Sequence, residues 1–112
     1  MDLRDLPRPC AEALRPHLKP EVFRALADPT RLTLVARLAV APGPLTVTEV
    51  ADCCGVHLSG VSRHLAALRD AGVVEAERSG REVRYRLDCR AVASTLRGLA
   101  DALEECRSTC CG

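Results

Sequence analysis

Apolar positions along this chain recur mostly at helical spacing and switch to strict alternation only once. Val22, Phe23 and Leu26 share one face of a helix predicted over about Pro20–Ala27. Asp28-Pro29 ends that helix and starts another, with Asp28 as N-cap and Pro29 at the first helical position. Leu32, Val35, Leu38 and Ala39 continue at helical spacing to about Ala41. Pro42-Gly43-Pro44 then breaks the chain. Thr46 or Thr48 can cap a short helix over about Val47–Cys54, which Gly55 ends. His57 or Ser59 opens a further helix, about Ser59–Ala71, with Val61, Leu65 and Leu68 as its stripe and Gly72 as C-cap. Two short helices joined by a tight glycine-containing turn predict a helix-turn-helix.

The alternation comes next. Val73–Arg78 and Glu82–Leu87 flank the turn Ser79-Gly80-Arg81. Val83, Tyr85 and Leu87 alternate with Glu82, Arg84 and Arg86, so one face packs and the other carries charge. The hairpin is long enough to act as a wing. A last helix, about Arg90–Cys106, carries a narrow stripe of Val92, Leu96, Leu99 and Leu103, the spacing of an interhelical seam. Such a seam wants a partner, either the first helix of the same chain or, preferred here, a second copy. Pro7, Pro9, Pro16 and Pro20 restrict the start of the chain to a short helix around Ala11–Arg15. The pattern therefore predicts a mainly α fold with a β-hairpin wing: about five helices plus two strands, dimerising through terminal helices. Its parts are an arm at 1–19, a winged helix-turn-helix domain at 20–106 and a cysteine-containing tail at 107–112.

Composition adds three constraints. At 112 residues, one domain with a modest core is expected. Phe23 and Tyr85 are the only aromatic residues, so Leu, Val and Ala must build that core. The net charge of +1 favours no polyanion by itself, but fifteen of the sixteen basic residues are Arg, whose fork suits phosphate and guanine. A GC-rich genome gives the same bias. The charged start Met1-Asp2-Leu3-Arg4-Asp5 has no apolar run behind it, and no segment reaches membrane-spanning length. A cytoplasmic protein with reduced thiols is expected.

From Glu49 to Val56, Val61 to Val74 and Gly80 to Leu87, the sequence closely resembles the ArsR/SmtB family of winged helix-turn-helix repressors. The stretch Phe23–Leu32 resembles that family's dimer side. The resemblance covers roughly Glu21–Leu103 and implies a homodimer that reads an inverted repeat in double-stranded DNA. A helix N-terminus in the major groove would place Ser59, Gly60, Ser62, Arg63 and His64 near bases and phosphates. His64 can equally pack on the scaffold. Arg78, Arg81 and Arg84 line the wing, with Arg81 at its tip. Seven Arg and five acids lie between Arg63 and Arg90, so this face is only mildly basic. No nucleophile–base pair, phosphate loop or carboxylate pair stands out, and an enzyme is not expected.

The remaining chemistry is in seven cysteines: Cys10, Cys53, Cys54, Cys89, Cys106, Cys110 and Cys111. An odd count argues against a closed set of structural disulfides. Three thiol or imidazole sites known in the resembled family do not match. The positions of its arsenic-type Cys-x-Cys hold Thr46-Val47-Thr48. Those of its zinc site hold Asp88-Cys89-Arg90 and Asp101-Ala102-Leu103-Glu104, without histidines. Its cadmium and lead cysteines would fall near Ala67 and Ala71.

Two candidate metal sites remain. One is Cys106, Cys110 and Cys111, which converge if the helix unwinds at Ser108-Thr109. The other is Cys53 and Cys54, joined by Cys10 or the tail of a second subunit. Cys54 also suits a core position, and Cys89, at the hairpin exit, reads as structural. Soft thiolates select soft ions. Arsenite or antimonite come first, Hg(II) second and Cd(II) or Pb(II) third, with no organic cofactor. The expected function is a repressor that releases its operator on binding such an ion. The alternatives are a redox-responsive repressor of the same fold that switches by disulfide formation, and a constitutive DNA-binding module.

Overall fold

The computed structural model describes residues 5, 8–54 and 57–108, the side chains of 8–10, 53 and 54 excepted. The elements run α1 (Arg8–Leu14), a 3-10 turn (Arg15–His17), α2 (Pro20–Leu26), α3 (Pro29–Val40), β1 (Leu45–Thr46), α4 (Val47–Cys54), α5 (Leu58–Asp70), β2 (Val74–Ser79), β3 (Glu82–Leu87) and α6 (Cys89–Cys106). Residues 20–89 form one compact unit, and the described residues of 1–19 and 90–112 form another. Among the described residues, no helix is long and apolar enough to cross a membrane.

Helix boundaries in the first unit follow local chemistry. The Asp28 carboxylate accepts the backbone N–H of Arg31 at 3.0 Å, and Pro29 occupies the first turn, where its missing N–H costs nothing. Thr46, rather than Thr48, caps α4. Its hydroxyl accepts the Glu49 N–H at 3.2 Å, while the Glu49 carboxylate accepts the Thr46 N–H at 3.1 Å. This reciprocal pair is a capping box. At the end of α5 the Val73 N–H reaches the Leu68 carbonyl and the Gly72 N–H the Arg69 carbonyl, both at 2.9 Å. That Schellman arrangement needs a left-handed residue, and Gly72 supplies it at φ 81°. The chain therefore turns from α5 directly into β2.

The core gathers Leu34 and Leu38 of α3, Val50 of α4, and Val61, Leu65 and Leu68 of α5 against Leu45, Val73, Val74 and Tyr85. Each such side chain removed from water contributes on the order of 1.5–3 kcal/mol. Two expectations need correcting. Helix α3 buries Leu34 and Leu38, whereas Leu32 is exposed. It carries aliphatic side chains nearly all round, so spacing does not select its inner face. The sheet has three strands, in the order β1-β3-β2, rather than two. Two-residue β1 pairs Leu45 with Tyr85 and Thr46 with Arg84, and is too short for alternation to reveal. The helices number six among the described residues, counting α1, the short arm helix expected around Ala11–Arg15.

In the second unit α6 buries Thr95 and Ala102 and leaves Leu96 and Leu103 exposed by 45% and 52%. Of the leucine stripe, Leu96 and Leu103 thus stand exposed while Val92 and Leu99 are half-buried. On the covered side of α6 lies Gly98, beneath the His17 imidazole; a Cβ there would stand 2.5 Å from His17 Cε1 and closer still to Nδ1.

Candidate nucleic-acid interface and thiol positions

Helices α4 and α5 pack on each other and on α3, and α5 also meets β2, so the second helix of the pair is braced from several sides. Val61, Leu65 and Leu68 fix its inner face. Its N-terminal outer face then presents Ser59, Ser62 and Arg63 to solvent, with Gly60 half-buried beside them. The first-turn N–H groups of such a helix, together with serine hydroxyls and a guanidinium, suit phosphate and base-edge contacts. His57 precedes the helix as N-cap with no side-chain capping bond, so the first-turn N–H groups are left without that acceptor.

His64 is placed differently from its neighbours. It is half-buried, and its Nδ1 accepts a hydrogen bond from Arg31 Nε at 3.1 Å. An imidazole accepting at Nδ1 carries its proton on Nε2. A second Arg31 nitrogen donates to the Arg24 carbonyl at 3.4 Å. One guanidinium therefore ties α2 and α3 to the reader helix. The Arg31 backbone N–H above all lowers the Asp28 pKa, against an opposing desolvation. The partner of His64 lies 33 residues away in sequence, and no local pattern announces it.

The wing is a tight hairpin with Gly80 at φ 64° in its turn. Arg78 and Arg81 are exposed on it. Arg84 departs from the expected DNA-facing role: it is half-buried and donates to Glu82 at 3.0 Å. Arg86 pairs with Glu75 and, at 3.4 Å, with Glu77. The Glu75 hydrogen bond, then the Glu77 charge, raise the Arg86 pKa. The hairpin therefore neutralises much of its own charge. Among the described residues, the reader and wing cations free of ion pairs are Arg63, Arg78 and Arg81.

The thiols are seen only in part. Cys106 is a free, half-buried thiol at the end of α6. Cys89 is also free, but exposed, so packing does not explain it as expected. The two stand at opposite ends of an 18-residue helix, on the order of 25 Å apart along its axis, too far to share an ion within one chain. Cys53 and Cys54 close α4 and Cys10 lies in α1, but their side chains are outside the described residues, as are Cys110 and Cys111 altogether. Among the described residues no group of three or more His, Cys, Asp or Glu could hold a metal ion.

A three-helix support, a braced reader helix and a β-hairpin beside it define a winged helix-turn-helix. A helix-turn-helix domain family model matches residues 26–77. The chain is 38% identical over 89 residues to the arsenic resistance transcriptional regulator ArsR1 of Pseudomonas putida, covering 77% of this chain and 69% of that protein. It is 41% identical over 74 residues to the regulator NmtR of Mycobacterium tuberculosis, covering 66% of this chain and 60% of NmtR. A probable mercury resistance operon repressor of Streptomyces lividans is 40% identical over 77 residues, covering 69% and 58%. The chain thus spans about three-fifths of the length of NmtR and of the Streptomyces protein.

Among solved structures, an ArsR-like regulator from Rhodococcus sp. RHA1 aligns with a TM-score of 0.68 at 31% identity, covering 77% of this chain and 79% of that one. A homodimeric winged helix-turn-helix domain from Mycobacterium bovis aligns with a TM-score of 0.63 at 32% identity, covering 86% and 85%. The chain belongs to the ArsR/SmtB family. It stands among transcriptional regulators, not enzymes.

Proposed function

We propose that this protein is a homodimeric, cytoplasmic repressor that binds an inverted repeat in double-stranded DNA and releases it when a thiophilic metal(loid) gathers its cysteines. The observation that carries the DNA-binding reading is the braced α5, which exposes Ser59, Ser62 and Arg63 at its N-terminal end. These residues with Gly60 read the major groove, and Arg78 and Arg81 of the wing hold phosphates or the minor groove. His64 serves chiefly as the joint through which Arg31 sets the angle of the helix. The dimer reading draws on the exposed Leu96 and Leu103 and on the homodimeric Mycobacterium bovis structure.

For the inducer, arsenite or antimonite lead, followed by Hg(II) and then Cd(II) or Pb(II). Three thiolates match the three bonds of arsenite, and relatives carry names of arsenic and mercury resistance regulators. Cys106, Cys110 and Cys111 are the first ligand set; Cys53 and Cys54, with Cys10, are the second. Ion binding biases the dimer away from the spacing of two half-sites, and a coupling of a few kcal/mol is enough to empty the operator.

The test is operator release by each ion from the parent and from two variants, one with Cys106, Cys110 and Cys111 changed to Ser and one with Cys53 and Cys54 changed. Loss of release in the first variant is expected. If every variant releases like the parent, the thiol-sensing reading fails. Release by peroxide alone, with silence toward arsenite under strong reductant, favours disulfide switching instead.

A further inference from the structure

An apolar feature sits inside the proposed reader. A surface groove of about 620 Å³ opens between the start of α4 and the start of α5, lined by Val47, His57, Leu58, Ser59 and Ser62. Its walls are mostly apolar and, among the described residues, include no acidic side chain. Leu58, the first residue of α5, is 51% exposed there. The core is complete without it, since Val61, Leu65 and Leu68 already fill the inner face of the helix. Nor does Leu58 belong to the leucine stripe of α6. Leu58 thus displays a large aliphatic side chain to solvent at the tip of the proposed reader helix, beside an apolar groove.

The groove's position names a counterpart. It is continuous with Ser59 and Ser62, the hydroxyls assigned to DNA above. The N-terminal residues of a reader helix are those that meet base edges in the major groove. The one apolar group displayed on that floor is the C5-methyl of thymine; the other edges present hydrogen-bond donors and acceptors. We infer that the Val47–Leu58 groove receives a thymine methyl in each operator half-site, and that Leu58 is a specificity-determining residue selecting thymine there. The inference rests on the proposed reading of α5 as the DNA reader. Serine hydroxyls and Arg63 then set the register on the duplex, while Leu58 discriminates through contact and exclusion of water.

Replacing thymine by uracil removes only the methyl. Duplexes are first enriched from a random double-stranded library with the full chain, under reductant and without metal. A fixed A·T pair in each half-site is expected. Uracil at that thymine should weaken binding about fourfold, the burial free energy of one methyl group, and on the order of tenfold when both half-sites are changed. In Leu58→Ala the thymine-to-uracil affinity ratio should fall close to one, while Leu58→Met should keep part of it; circular dichroism confirms that both variants are folded.

The inference is overturned if enriched duplexes lack a fixed thymine, if the parent tolerates uracil, or if Leu58→Ala and Leu58→Met keep the full preference. A groove that instead serves an apolar small ligand gives the second of these results. Failure to enrich any duplex removes the reader reading and this inference together. Binding that depends on Ser59, Ser62 and Arg63 yet ignores uracil removes the inference alone.

Discussion

Gly98→Ala tests whether the arm is built onto α6 through His17. Glycine inside a helix costs about 1 kcal/mol relative to alanine, so on an open helix face the substitution stabilises by that amount. Here the added methyl would stand 2.5 Å from His17 Cε1 and meets Nδ1 as well, well inside van der Waals contact. The ring must leave or the helix must shift. Overpacking of this kind costs about 1–3 kcal/mol. The two effects oppose each other, and the single variant should be destabilised by about 0–2 kcal/mol. In a His17→Ala background the clash disappears and the same Gly98→Ala change should stabilise by about 1 kcal/mol. The expected coupling is therefore about 1–3 kcal/mol. Urea unfolding followed by circular dichroism measures it for the four proteins, at one fixed protomer concentration because self-association adds to apparent stability. Equal stabilisation by Gly98→Ala in both backgrounds would refute the reasoning.

Three further outcomes are expected. Leu96→Asp with Leu103→Asp should convert the dimer to a folded monomer and weaken operator binding, read by sedimentation and by anisotropy; an unchanged dimer would place the interface elsewhere. The pKa values of Asp28 and Glu49 are lowered, Asp28 chiefly by the Arg31 N–H and Glu49 by the Thr46 N–H and then its hydroxyl. Their stabilising contribution is complete above the ordinary carboxylate pKa of about 4 and is lost as pH falls through the depressed folded values. Asp28→Asn and Glu49→Gln should each flatten that acid limb of the stability curve, and an unaltered limb would contradict the assignment. Finally, Arg31→Ala should release His64 Nδ1, so that nitrogen NMR no longer finds the proton confined to Nε2, and operator affinity should fall; a preserved tautomer would mean that Arg31 does not hold the ring.

The features legible in the sequence were those written in neighbouring residues. Asp28-Pro29 marked the start of α3, Gly72 the end of α5, and alternation from Glu82 to Leu87 marked β3. Features that depend on distant partners were not legible. The inner face of α3 is chosen by what covers it, so Leu34 rather than Leu32 is buried. Strand β1 exists because β3 offers it an edge. The Arg31–His64 bond joins helices 33 residues apart. Gly98 reads as a weak point in a helix, and its use emerges only with His17 above it. The thiol candidates were legible as residues but not as a site, because their convergence depends on chain paths beyond any spacing rule.

Self-neutralisation of the wing has a consequence for how the protein would let go of DNA. Each phosphate contacted by a cation frees condensed counterions, and salt then competes for the site. With Arg84 and Arg86 bound to Glu82, Glu75 and Glu77, about three reader and wing guanidinium groups per protomer, among the described residues, remain for this exchange. A dimer with about six such contacts has a logarithmic salt slope near about −5. Lifting one reader from its half-site would return about half of those ions to the DNA. Occupancy would then turn on ionic strength as well as on the inducer, and a geometric change in one interface would be amplified by the ion atmosphere of the operator itself.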